Sequence, residues 1–387
     1  FSLVNRRFGN DEANNIIKRY ANALKAYADE GEMIGHLGGD NFVALIRKEK
    51  TSDFLKMIAE KGVLTYGEKN NFRTPLKIYA TAGVLEIDET IRDVGPVMSM
   101  ANNALVVAKN VLHKPYVFMS KELQEQSIRN KQISVRFADA LRTGEFIVYY
   151  QSVVNTEDNT IAGAEVFSRW LYEGKLMEAK EYIHNLDTDD SICQLDYFVL
   201  EQVCKDINRL LEEGVKPVPV YVNFSLKHLD EPEVVKNILD LLEKYQTPKE
   251  LVLIEMVETP DQGEHKRMDA FVRKAREYGI HLSIDDFGSG YSSMNLFREH
   301  SIDFLKIDKN FVKAGAETEI DRIMINNMVR LAGELFVTPI AEGIENKELY
   351  SFIRGIGCKY MQGYLFDRPM PIEAFVDKLR AGKGLVE

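Results

Sequence analysis

The sequence predicts an α/β protein in which an α+β domain is followed by a TIM-like β/α barrel. Three observations carry this. From about residue 144 onward, strands alternate with helices. Nearly every one of those strands ends on a polar side chain. At 387 residues the chain is also too long for one ordinary core. The boundaries follow from the change of pattern: an α+β domain over residues 1–118, a helical linker over 119–143, and the barrel over 144–387. Phe1 already lies inside patterned sequence, so the first domain reads as truncated at its start, and the chain as part of something longer.

In the first domain, Ile16, Ile17, Tyr20, Leu24 and Tyr27 form a helical stripe. Residues 33–37 and 42–46 flank Gly38-Gly39-Asp40-Asn41, which reads as a β-hairpin with a glycine-rich turn. A strand follows at 77–85 and a helix at 94–110. Over 119–143, Ile128, Ile133, Phe137 and Leu141 keep helical spacing in a charged background. That segment is either the linker or the first helix of the barrel domain.

The barrel reads strand 146–154, strand 161–167, helix 197–211, strand 218–224, helix 233–245, strand 251–257, helix 267–278, and a strand ending at Asp285-Asp286. It continues with strand 304–307, helix 320–335, strand 338–341 and strand 359–362. The C-terminal ends of barrel strands gather at one rim, which there collects Glu165, Asn223, Glu255, Asp285, Asp286, Lys306, Glu342 and Gln362. Each alone could be a helix cap or a surface charge. Two adjacent acids repel unless a cation lies between them. Carboxylates with one amide oxygen are hard ligands, suited to Mg²⁺ or Mn²⁺ and not to zinc. Two such ions, about 3.5–4 Å apart, serve in-line phosphodiester displacement, with Asp285 as the natural bridge. Lys306 would hold water or phosphate charge, and Glu342 would accept a proton. Arg169 has the fork geometry for a phosphate oxygen, with a surface ion pair as the equal alternative.

Composition is that of a globular protein, 45% hydrophobic and 28% charged. The net charge of −11 argues against a nucleic-acid polymer as partner. Cys193, Cys204 and Cys358 show no metal-ligand spacing and read as reduced packing residues of a cytoplasmic protein. No apolar run is long enough to span a bilayer, so no membrane contact is expected within these residues.

The hairpin His36-Leu37-Gly38-Gly39-Asp40-Asn41-Phe42 resembles the signature turn of the GGDEF family, the diguanylate cyclases that build cyclic di-GMP from two GTP. Phe1, Asn5, Gly9 and Ala108-Lys109 fall at further family motifs. The resemblance implies that Asn41 replaces an acidic metal ligand, Asn14 a guanine-reading aspartate and His113 a phosphate-binding arginine. Asp29 and Glu32 stand at an inhibitory site that has lost its arginine. A degenerate domain without cyclase activity, kept for packing or regulation, is the reading this implies.

The second half, over nearly all of 144–380, resembles the EAL family of cyclic di-GMP phosphodiesterases. The motifs are Glu165-Val166-Phe167-Ser168-Arg169, Val222-Asn223-Phe224-Ser225, Glu255-Met256-Val257-Glu258, residues 285–293, Leu305-Lys306-Ile307-Asp308, Ala341-Glu342-Gly343-Ile344-Glu345 and Gln362-Gly363-Tyr364. The resemblance implies a two-metal site of Mg²⁺ or Mn²⁺ held by Glu165, Asn223, Glu255, Asp285 and Asp286. Lys306, Glu342 and Gln362 would assist the chemistry, Arg169 would bind substrate, and Glu258 would anchor the loop after Asp286. It also implies a homodimer formed through this domain and hydrolysis of cyclic di-GMP to linear pGpG. Two departures stand out: Ser152 replaces a usual proline beside the groove, and residues 171–190 are shortened where one guanine is held. They keep a second reading open, a cyclic di-GMP receptor with little turnover, and a third, a scaffold of two degenerate domains.

Overall fold

The computed structural model describes residues 10–60, 63–65, 75–77, 80–88, 93–187, 190–258, 262–287 and 302–382. The chain divides into two compact units, Phe1–Lys131 and Gln132–Glu387.

In the first unit the helix Asn10–Lys25 is followed by the antiparallel hairpin Met33–Gly38 and Asn41–Leu45, with Gly38 opposite Asn41. Gly38 and Gly39 both have positive φ, 117° and 57°, a conformation that costs a side-chain-bearing residue at least ~1 kcal/mol. Leu24, Phe54, Leu55 and Ile58, from this helix and from Lys48–Glu60, form the small core. The strand expected over 77–85 is two strands in different pairings. Pro75–Lys77 pairs with Val63–Thr65, and Ala82–Val84 runs parallel to Tyr116–Phe118. Gly83 lies so close to the helix Val94–Val106 that a Cβ would sit 1.9 Å from the Ala101 carbonyl oxygen, so only glycine fits there. That helix continues as a π-helical turn over Val107–Val111. Phe1, Asn5 and Gly9 lie outside the described residues.

The helix Lys121–Thr143 carries Ile133, Phe137 and Ala140 at helical spacing on its buried face, and these pack into the main core of the second unit. There eight strands close a barrel: β1 Phe146–Asn155, β2 Thr160–Tyr172, β3 Val220–Asn223, β4 Val252–Val257, β5 His281–Phe287, β6 Phe304–Ile307, β7 Thr338–Ala341 and β8 Tyr360–Met361. β2 to β8 run parallel to their neighbours, while β1 is antiparallel to both β2 and β8. β2 is longer than its apolar run, because β1 pairs with it as far as Trp170 and Lys175–Glu178 folds back on its end. The helix expected over 197–211 starts earlier, at Ser191, since Ile192, Cys193 and Leu195 continue its buried face. No helix among the described residues is long and apolar enough to cross a membrane.

Strand periodicity builds two layers inside the barrel. Val153, Tyr221, Leu253 and Ile340 form one apolar cluster, joined by Phe304 and Tyr360. Gly163 takes part by leaving room for the Tyr221 ring, which a Cβ would approach to 3.0 Å. Two residues further along the parallel strands come Glu165, Asn223, Glu255, Lys306, Glu342 and Gln362, and two residues back along antiparallel β1 comes Gln151. The apolar layer seals the bottom of the barrel and forces the polar layer to satisfy itself.

Candidate active site

Lys306 stands at the centre of the polar layer and is fully buried. Its ammonium lies 2.5 Å from Glu165 Oε2, 3.0 Å from Glu255 Oε2 and 2.9 Å from Glu342 Oε1. Glu165 also accepts from Asn223 Nδ2 at 2.9 Å and from Gln362 Nε2 at 2.7 Å. Glu255 accepts from Ser283 Oγ at 3.0 Å. Gln362 Nε2 also donates to Gln151 Oε1 at 3.1 Å. Ser283 and Gln151 are members of the layer that strand-end reasoning does not find. Gln151 sits in the middle of β1, whose antiparallel course turns the strand's earlier residues toward the rim. Its only signal is an amide interrupting an apolar strand.

The two aspartates meet through a backbone irregularity. On a regular strand Asp285 and Asp286 would point to opposite faces. Here the β5–β6 register shifts between Ile284 and Phe287, and Asp286 adopts φ 56°, the left-handed region. One oxygen each of Asp285, Asp286 and Glu342 then lies within 4.8 Å of the others, close enough for one cation. The Asp286 amide donates to Asp285 Oδ1 at 2.7 Å, and the Glu258 amide donates to the Asp285 carbonyl at 3.2 Å. The loop that Glu258 was expected to anchor, residues 288–301, lies outside the described residues, as does most of the 285–293 motif.

Burial dominates the electrostatics. It raises the Glu255 carboxyl well above the usual range, with Lys306 pulling the other way. Burial likewise pushes Glu342 up to about 8 and Asp285 up to about 6, against Lys306, and it also raises Asp286. For Lys306 burial alone would lower the pKa, but Glu165, Glu255 and Glu342 outweigh it and hold the ammonium charged. A lone lysine thus faces more acids than it can neutralise.

Arg169 stands apart from this cluster. It is 8% exposed, and its Nη1 donates to the Ser168 carbonyl at 2.9 Å. The guanidinium lies over the rings of Tyr149 and Phe167, at 5.5 and 5.6 Å from their centres. Ser152 is fully buried; its amide and hydroxyl both donate to Asp367, at 3.2 and 2.6 Å, and Lys378 closes the pair at 2.5 Å. A proline at 152 would lose both bonds, so the Ser152–Asp367 pair accounts locally for the replacement.

Against known families, residues 134–369 match the EAL domain model and residues 1–113 match the model described as diguanylate cyclase, GGDEF domain. The chain belongs to the EAL domain family. Its architecture is a GGDEF domain followed by the EAL domain. Over 245 residues it is 30% identical to the cyclic di-GMP phosphodiesterase RocR of Pseudomonas aeruginosa, covering 62% of each chain. Over 389 residues it is 25% identical to the cyclic di-GMP phosphodiesterase NbdA of the same organism, covering 98% of this chain and 49% of that one. The chain spans about half the length of the curated relatives it matches along its whole extent. The solved structure titled PaMucR phosphodiesterase, c-di-GMP complex, superposes with a TM-score of 0.60 at 25% identity, covering 63% of this chain and 99% of that one. The EAL domain here therefore shares its family and its barrel with proteins named for cyclic di-GMP.

Proposed function

We propose that the EAL domain hydrolyses cyclic di-GMP to linear pGpG with Mg²⁺ or Mn²⁺, and that the GGDEF domain is not a cyclase and serves a regulatory or structural role. The observation that carries the proposal is the convergence of Asp285, Asp286 and Glu342 beside the Lys306 cluster. Divalent ions fit this donor set. Every donor is oxygen; among the buried ones Gln362 Oε1 has no hydrogen-bond donor, and Glu255 Oε2 has only the Lys306 ammonium beside it, at 3.0 Å. Glu165, Asn223, Glu255, Asp285 and Asp286 are the residues that would hold the ions. When bound, such ions make water a stronger nucleophile at neutral pH and neutralise the oxygen that leaves. Lys306 keeps the acids together and offers its ammonium to a phosphate oxygen. Glu342 can take a proton from the attacking water, and Gln362 and Asn223 hold Glu165 in one orientation. Water adds across one phosphodiester link, and the ring opens.

In the GGDEF domain the support is chemical. Asn41 cannot act as an anionic ligand, and it stands exposed at the turn with its amide near the Gly38 carbonyl, at 3.5 Å. At the Asp29 and Glu32 positions, Lys50 bridges both acids, at 2.6 and 3.3 Å.

A receptor reading is favoured by one observation, that Arg169 is packed on two rings and donates to its own neighbour's carbonyl. The deciding experiment incubates the purified chain and cyclic di-GMP with Mg²⁺, Mn²⁺ or chelator and follows pGpG by chromatography. Release with either ion and none with chelator is expected. Tight cyclic di-GMP binding with no pGpG under any condition selects the receptor.

A further inference from the structure

A second cluster lies outside the barrel, between the helix Ser191–Glu212 and the 3₁₀ turn Leu226–Asp230 that follows β3. Here Cys193 Sγ, an imidazole nitrogen of His228 and a carboxylate oxygen of Glu231 lie within 4.8 Å of one another. His228 is fully buried and Cys193 is 7% exposed.

The hydrogen bonds around the imidazole set its electron pairs. His228 Nε2 lies 3.1 Å from Asp196 Oδ2, a buried carboxylate oxygen that also accepts the Ser225 amide at 2.8 Å. A carboxylate only accepts, so Nε2 carries the hydrogen, and in the neutral ring Nδ1 is left with a lone pair. Nδ1 is a buried atom with no hydrogen-bond partner, although Glu231 Oε1 is 3.2 Å away. Two acceptors thus face each other across that gap, and the Cys193 thiol donates to Glu231 beside them. Such a contact is unfavourable unless a proton or a metal cation lies between them. The outer partners are in place as well. Tyr197 donates to Glu231 Oε2 at 2.7 Å and is itself held by Asn237 Nδ2 at 3.2 Å.

We propose that Cys193, His228 and Glu231 bind one zinc-class divalent cation, with His228 coordinating through Nδ1. Thiolate, imidazole and carboxylate are the donors that zinc takes, while Mg²⁺ avoids sulfur. Ligands about 2.0–2.1 Å from a tetrahedral ion are about 3.3 Å apart, which the 3.2 Å from Nδ1 to Oε1 matches. Asp196–His228 then supplies the carboxylate–histidine pair that orients a zinc-bound imidazole. Binding releases the Cys193 thiol proton to solvent, and the fourth position is left to water, reached past the partly exposed Glu231 side chain. The role is structural. The ion pins the turn that directly follows Asn223 to the helix Ser191–Glu212. The spacing hid this site, because Cys193 and His228 come from different elements.

The test titrates the chelator-treated full chain with Co²⁺ and reads the thiolate-to-cobalt charge-transfer absorption, a band that an all-oxygen rim cannot give. One cobalt per chain should produce the band, and Zn²⁺ should abolish it. Cys193→Ser should lose the band, and His228→Gln, whose amide can keep the bond to Asp196, should weaken binding at least tenfold. Zn²⁺ should also raise the Tm of wild type and not of Cys193→Ser. A folded wild-type protein that gives no band overturns the site, as does a band that survives Cys193→Ser. The wild-type titration stands even if a variant misfolds.

Discussion

At the barrel rim, Glu255 and Lys306 are fully shut from solvent and Glu165 and Gln362 nearly so. At the tip of the glycine-rich hairpin, every residue from His36 to Asn41 is exposed. The rim must balance its charges internally, so each member is tied to another and burial moves their proton affinities far from ordinary values. The hairpin has water for a partner. It keeps its shape through two glycines, a stacked His36–Phe42 pair with centroids 4.8 Å apart, and a His36 Nε2 contact to the Gly39 carbonyl at 3.0 Å. An exposed turn can thus hold its shape through backbone geometry, whereas a buried charged layer does not survive loss of a member cheaply. The comparison expects large effects at the rim and small ones at the hairpin.

The largest should come from Glu165→Ala. It removes the acceptor shared by Lys306, Asn223 and Gln362 together with a proposed ligand, so pGpG release should fall by more than about 100-fold, the upper end for loss of a mere outer partner. A loss under tenfold would place Glu165 outside the reacting groups.

Lys306→Met leaves its acids without their cation and should cost about 3–5 kcal/mol in chelated protein. Denaturant unfolding measures this, and Mn²⁺ should restore part of it. An unchanged midpoint would contradict the internal balance described for the rim.

The pH dependence has a definite sign. Asp285 and Glu342 bind protons more tightly folded than unfolded, since their folded values lie near 6 and 8. Between about pH 4 and those values the native state holds more protons, so these two acids lower stability as pH rises. Chelated wild type should therefore lose Tm from pH 5 to pH 8 relative to Glu342→Gln, and Mn²⁺ should close the difference by displacing the protons. Parallel Tm profiles for the two proteins would remove Glu342 from the coupled cluster.

Smaller again is Ser152→Ala, expected to cost about 1–3 kcal/mol because it leaves Asp367 short of a donor in a buried site. At the hairpin, Asn41→Ala should change stability by less than about 0.5 kcal/mol. With the EAL domain inactivated by Glu165→Ala, GTP should yield no cyclic di-GMP, and any accumulation would return the hairpin to the catalytic class.

Much of this was legible in the sequence because β-strand arithmetic is simple. A polar residue two positions beyond an apolar one, toward the end of a parallel strand, marks Glu255, Lys306 and Gln362 without any coordinates, while Glu165 lies in mid-strand, two residues past Gly163. Gln151 was hidden by the reversed direction of β1, and Ser283 by being one more small residue in a buried strand. The meeting of Asp285 with Asp286 depends on a positive φ that no local pattern announces. Cys193 and His228 are brought together by packing of a helix on a turn, which spacing rules for metal ligands do not cover. Arg169 is an opposite case: it keeps its place in a motif whose name-giving Ala-Leu pair is replaced by Val166 and Phe167, while its guanidinium is packed against two aromatic rings.

The central claim, that the rim is a metal-dependent hydrolytic site, is tested most directly by Asp285→Asn. The measurement is pGpG release and cyclic di-GMP affinity for wild type and variant, with excess Mn²⁺ and with chelator. Release should be lost by orders of magnitude in the variant and in chelator, with cyclic di-GMP binding largely kept. Wild type that binds cyclic di-GMP yet releases no more pGpG than Asp285→Asn would contradict the claim and leave the barrel a receptor.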